Sequence, residues 1–280
     1  MMMPPTSLSL TATILGCGFS GGVPRVGPGG WGVCDPTEVK NRRRRCSLFI
    51  EWSAEGPKNL SSSHGNLLID TSPDLREQLI TYGIERIDAA LITHTHADHI
   101  HGIDDLRFMA QCHKKRIPIY GDTHILEDMR LRFRYCFETA PGSDYPPILD
   151  SHVFEPNGPV SILGQEGFIP VTPFWVHHGS IRAYGFRIGS LAYIPDVSSI
   201  PEESLALLEG LDILIVDALR YKSHPSHFSI DDALAFIGKI RPKQAILTHM
   251  NLEVDYATLA ATLPDSVSPA YDGRVLRVEC

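Results

Sequence analysis

The segment DAALITHTHADHIHG, residues 88–102, restricts this chain more than any other. Its short apolar run reads as a buried strand. Directly beyond it stand His94, His96, Asp98 and His99, four ligand-type side chains in six positions. Where a strand unravels into a turn, alternate residues point the same way, so His94 and His96 converge on one point. Asp98 and His99, at the turn into a helix, face a second point nearby. Imidazole and carboxylate donors in this pattern suit two borderline metal ions without a thiolate. A fold that uses them must bring buried strand ends together at one edge.

The rest of the chain supplies such strands. CSLFIEW, NLLIDTS, FIPVTPFWV, RAYGFRIG, SLAYIPD, LDILIVDAL and QAILTHM read as strands. PDLREQLITYG, residues 100–113, THILEDMRLRFRYCFE, PEESLALLEG and SIDDALAFIGKI read as helices. Strand pairs interleaved with helices predict an α/β chain, two sheets face to face with helices outside, a four-layer αββα sandwich. No linker or repeat divides the sequence, so residues 1–280 are expected to form one domain. Gly16, Gly18 and Gly21 spell GxGxxG after a strand. Pro24 and Pro28 then stand where a phosphate-binding helix should open, so a tight loop rather than a dinucleotide site is expected.

Composition narrows the partners. With 25 Lys and Arg against 33 Asp and Glu, the net charge of −8 disfavours nucleic acid. No apolar run reaches the ~18 residues of a membrane span. The amino terminus alternates as a strand does and lacks a basic leader, which argues against a lipoprotein signal at Cys17. The 6 cysteines show no CxxC pair. Free thiols and a cytoplasmic location are expected, and a homodimer is compatible with the sequence. Residues 40–45 carry a basic run, read as a solvated or carboxylate-paired loop rather than a substrate funnel. Asp74 is read as a helix-start residue, and His64, His113, His124 and His152 have no partner spacing.

HTHADH has the form HxHxDH, by which the chain resembles the metallo-β-lactamase superfamily. VHHGS, YIPDVS and AILTHMN follow in the order of that superfamily's later ligands. The resemblance implies that His94, His96 and His178 hold one ion, Asp98, His99 and His249 a second, and that Asp196 bridges. His178 is preferred to His177 because it precedes Gly179. Two divalent ions, zinc or manganese ahead of iron, would share a hydroxide as nucleophile, with Asp98 counted among the catalytic residues.

SHPSHFSIDDAL resembles the segment of tRNA 3′-processing nucleases and cyclic phosphodiesterases that carries a non-ligand histidine beside the metals. His227 takes that position, to bind the phosphoryl group or protonate the leaving oxygen, with His224 as its competitor. GCGFSGGVP, Trp31–Gly32, RRRRCS and HIHGIDDLR further resemble the phosphoribosyl 1,2-cyclic phosphate phosphodiesterases of the carbon–phosphorus lyase pathway. Those enzymes add a structural zinc. Here only Cys34 remains of its cysteines and Leu252 replaces its histidine, so none is expected. The implied activity is phosphodiester hydrolysis on small cyclic or nucleotide-like diesters. A tRNA 3′-end nuclease and a mononuclear iron persulfide dioxygenase are the alternatives.

Overall fold

The computed structural model describes residues 7–55 and 63–279. The first sheet takes β1 (Ser7–Gly16), β2 (Ser47–Glu55), β3 (Ser63–Ile69), β4 (Ala89–Leu91), β5 (Ile117–Gly121) and β6 (Leu149–Val153). The second takes β7 (Val160–Leu163), β8 (Phe168–His178), β9 (Ile181–Ile188), β10 (Leu191–Ile194), β11 (Ile213–Asp217), β12 (Gln244–Thr248) and β13 (Val267–Pro269). The chain closes with β14 (Val275–Glu279), which returns to β1. The two seven-stranded sheets run β14-β1-β2-β3-β4-β5-β6 and β13-β12-β11-β10-β9-β8-β7. Side chains of both belong to one continuous buried cluster, as expected of the αββα sandwich.

Each sheet changes character across its width. β1 and β2 pair antiparallel, and β14 exposes alternate residues. From β3 to β6 and from β10 to β13 the strands are parallel. β4, β5, β10 and β11 are buried at every residue, as parallel strands covered on both faces must be. Parallel strands direct their carboxyl ends to one edge, where ligand sites collect. Asp70, His94, Asp196, Asp217 and His249 all lie at or just beyond such ends.

Several expected elements are broken or new. Residues 97–113 divide into the helices Ala97–Ile100 and Arg107–His113 around a 3₁₀ turn, Ile103–Leu106. The Thr123 helix stops at Arg132 and restarts at Arg134, because Phe133 leaves helical geometry (φ −122°, ψ 39°). β6, β7, β13 and β14 lie outside the sequence expectation. The GxGxxG loop leads into no helix, and a Cβ on Gly16 would lie 2.1 Å from the Arg45 carbonyl, so the glycine serves close backbone approach. Cys17, Cys34, Cys46, Cys112 and Cys136 are free thiols, whereas Cys280 lies outside the described residues. No helix among the described residues is long and apolar enough to cross a membrane.

Candidate metal centre

Seven of the side chains singled out in the sequence meet at this edge. Ligating atoms of His94, His96, His178 and Asp196 lie within 4.8 Å of one another, and so do those of Asp98, His99 and His249. Asp196 stands between the groups. Its Oδ2 is 3.8 Å from His94 Nε2, 3.6 Å from His178 Nε2 and 3.6 Å from His249 Nε2, while Oδ1 is 3.1 Å from His99 Nε2. His178 ends β8 directly before the turn at Gly179, and His249 adopts a left-handed φ of 58° just after β12. A histidine held there is strained, as residues of functional sites often are. His177, the rejected neighbour, is exposed and bridges to Ser199 instead.

The imidazoles share an arrangement that suits a cation. His99 Nδ1 is 2.7 Å from Asp70 Oδ2, His178 Nδ1 donates to the Ser226 carbonyl at 2.6 Å, and His94 Nδ1 lies 3.0 Å from the Thr93 hydroxyl. Thr93 in turn donates to Asp70 at 2.8 Å. With Nδ1 engaged, Nε2 is the nitrogen left for the centre. His94 Nε2, His99 Nε2, His249 Nε2 and Asp196 Oδ1 are buried without a hydrogen-bond partner, a costly state that coordination would relieve. The donor set, imidazole and carboxylate, fits divalent zinc, manganese or iron.

Electrostatics agree. Burial holds His94 well below the ordinary histidine value, and lowers His96 and brings His178 down to about 4. Burial would raise Asp98 and Asp196, but the surrounding imidazoles outweigh it and keep both carboxyls low. Neutral imidazole and ionised carboxylate are the forms a metal ion binds. His99 is the exception: burial opposes its charge, yet Asp196, Asp98 and Asp70 together raise it well above the usual value. A cation at this centre would balance the same three acids.

Two supporting aspartates escaped the sequence reading. Asp70 follows β3 with φ 64°, and Asp217 ends β11; both are fully buried, and burial raises both carboxyls. Asp217 Oδ2 accepts from His227 Nδ1 at 2.7 Å. The His227 ring stacks on His249 at 4.7 Å and meets His178 edge-on at 4.6 Å. His227 can also be grouped with Asp196 and His249. However, the nitrogen nearest Asp196, at 3.8 Å, is the one already tied to Asp217. His224 sits behind, its Nδ1 beside Ser226, with its ring 5.2 Å from His227.

The basic run departs from expectation at Arg43 and agrees with it at Arg45. Arg43 is 1% exposed and donates to the Asn251 and Val254 carbonyls at 3.1 and 2.8 Å and to Asn41 at 3.1 Å, with Cys34 Sγ at 3.9 Å. Its guanidinium therefore ties the chain after His249 to the amino-terminal loop. Arg45 pairs with Asp74 at 2.6 Å, so Asp74 occupies the helix-start position but its carboxylate holds Arg45 rather than capping the helix. His101 rests edge-on against Phe133, and His64 lies 4.0 Å from Glu166.

With this geometry in place, residues 65–250 match the beta-lactamase superfamily domain. The chain belongs to that family. Its members typically bind divalent metal ions, and the two His/Asp groups here can hold them. The crystal structure of a new diphosphatase from the PhnP family superposes with a TM-score of 0.83, at 33% identity over 98% of this chain and 99% of that one. Human tRNase Z, short form, shares the fold at 21% identity and a TM-score of 0.63, over 95% and 98% of the two chains. An octanoyltransferase of Porphyromonas gingivalis (strain ATCC BAA-308 / W83) is 33% identical over 93% of this chain, which spans only 50% of that protein.

Proposed function

We propose that this metallo-β-lactamase-fold hydrolase is a dinuclear phosphodiesterase of the phosphoribosyl cyclic phosphodiesterase type, acting on small cyclic or nucleotide-like diesters. His94, His96 and His178 would hold one divalent ion, Asp98, His99 and His249 the other, with Asp196 between. When bound, such ions supply Lewis acidity and activate water near neutral pH. The observation that carries the phosphoryl reading is the Asp217–His227 pair, set against His178 and His249 yet using its Nδ1 elsewhere. Asp217 fixes the tautomer with Nδ1 protonated, which leaves Nε2 to hold a proton for the leaving oxygen. Burial lowers the His227 pKa and so makes its protonated ring a stronger acid toward an alkoxide.

The 33% identity to a diphosphatase supports a second, compatible substrate. Each phosphorus of a disubstituted diphosphate carries one negative charge, as a phosphodiester does, so one site can serve both. The net charge of −8 weighs against a tRNA 3′-end nuclease. A panel of bis-p-nitrophenyl phosphate, a cyclic phosphate, a β-lactam and an acyl thioester tests the reading, run beside elemental analysis of wild type and Asp98→Ala. Turnover of the two phosphodiesters is expected, with two ions per wild-type chain and fewer in the variant. Turnover confined to the lactam or thioester overturns the substrate class. One ion per chain, unchanged by Asp98→Ala, overturns the dinuclear assignment.

A further inference from the structure

A cleft of about 550 Å³ opens from His94 and Thr95 and is bounded by Asp122, His124, Asp128 and Arg182. Its carboxylates are already engaged. Asp122 accepts from the Ile125 amide at 2.8 Å and from the Tyr184 hydroxyl at 2.7 Å, and Asp128 pairs with Arg132 at 2.7 Å. Arg132 also donates to the Thr95 carbonyl at 2.9 Å, which ties this wall to the metal-binding loop. Arg182 is different. It is exposed and reaches the Tyr184 hydroxyl with a side-chain hydrogen bond, but it forms no ion pair among the described residues. Its guanidinium lies 4.7 Å from the centre of the Trp175 ring, and Trp175 is itself anchored by donating to Glu203 at 2.8 Å. A guanidinium stacked on an aromatic face keeps its planar fork of donors ordered and available to an oxyanion.

Position adds meaning to this charge. Arg182 stands second in β9 opposite His177, one residue pair from His178 at the end of β8. The phosphoryl group under attack is met at the histidine and aspartate cluster, so it does not require this cation. An exposed guanidinium without a carboxylate partner, ordered on an aromatic ring in the same cleft, is free to meet another negative group on the same substrate. We propose that Arg182, with His124 as a second donor, is a specificity-determining subsite for a phosphoryl group adjoining the one attacked. This deepens the phosphodiesterase reading and rests on it. Disubstituted diphosphates should then be preferred to isolated monophosphate diesters.

The test compares metal-loaded wild type, Arg182→Ala and Arg182→Lys on ADP-ribose, which carries two adjoining phosphoryl groups, and on bis-p-nitrophenyl phosphate, which carries one. Arg182→Ala should reduce the ratio of kcat/KM for ADP-ribose over the aryl diester by about tenfold or more, chiefly through KM. Arg182→Lys should recover part of that ratio, because a point charge replaces the fork. Metal content should match wild type, since no ligand is touched. Equal losses on both substrates, or lost metal, would mean that Arg182 only braces the β8–β9 hairpin, and would overturn the subsite. Turnover of both substrates with no change in ratio overturns the subsite alone. Turnover of neither by loaded wild type overturns the parent reading and the subsite with it.

Discussion

The site contains one device twice, with different results. In the first sheet Asp70 lies 2.7 Å from His99 Nδ1; in the second, Asp217 lies 2.7 Å from His227 Nδ1. Both aspartates end apolar strands, and both are fully buried. The histidines differ. The His99 side chain is 0% exposed and its free nitrogen faces Asp98 and Asp196, whereas His227 is 11% exposed and leans on the rings of two other histidines. In the proposed site, an Asp–His pair sunk between acids would serve as a metal ligand with its support. The same pair raised to the rim presents an imidazole that chemistry can use.

The strongest way to break this contrast is to remove the exposed histidine. His227→Ala should lower kcat on an alkyl phosphodiester by about 10² to 10⁴, the range of a positioned acid or base, with metal content unchanged. A p-nitrophenolate leaving group, which needs no proton, should lose less. If both leaving groups suffer alike, His227 binds phosphate rather than donating a proton. Lost metal would make His227 a ligand and erase the distinction between the two pairs.

The supporting aspartates should respond with smaller and opposite signatures. Asp70→Asn withdraws an acceptor from His99 and, through Thr93, from His94. Metal affinity should fall by about 10- to 100-fold, the usual cost of losing such outer support, with kcat recovering at saturating metal. Asp217→Asn should instead lower kcat by a similar factor that added metal does not restore. Metal titrations monitored by activity separate the two. Identical responses would show that the pairs are equivalent and that exposure has no bearing on their roles.

These aspartates also mark how far the sequence could be read. The candidate ligands are legible because each follows a short apolar strand, and the structure gathers residues of HTHADH, VHHG, YIPD and ILTH into groups that could hold a metal ion. NLLID and LDILIVD carry the same signal, an acid at the end of a buried run, but spacing alone does not tell a ligand from a residue that orients one. Arg43 was illegible for another reason. Among the arginines at positions 42–45, charge is uniform, and only the fold decides that one is enclosed by backbone carbonyls while Arg45 meets Asp74. The strands β6, β7, β13 and β14 are short sheet-edge or near-edge pieces defined by their neighbours rather than by hydrophobic periodicity.

A partly buried aspartate sharpens the comparison because no histidine is among the groups that shift it. Asp272 accepts from the Cys17 amide at 3.2 Å, the Cys17 thiol at 3.4 Å and the Arg44 amide at 2.8 Å. Burial pushes its carboxyl up to about 7, and these donors only partly oppose the shift. In the unfolded chain it titrates near ~3.9, so between roughly pH 4 and 7 the native state holds a proton that the unfolded state has released. Its contribution to stability is therefore complete below pH ~4 and is lost as pH rises toward 7. The amide introduced by Asp272→Asn cannot ionise. The unfolding free energy of wild type minus that of Asp272→Asn should fall across this window, with a slope approaching about 1.4 kcal/mol per pH unit, and level off above it. Urea unfolding of both proteins after chelation of metal, at half-unit steps of pH, measures that difference while titrations common to the two cancel. Parallel curves would mean that Asp272 ionises in the folded protein as freely as in water. Burial would then not be enough to raise a carboxyl that accepts three hydrogen bonds, and the raised carboxyls of Asp70 and Asp217 would need another cause.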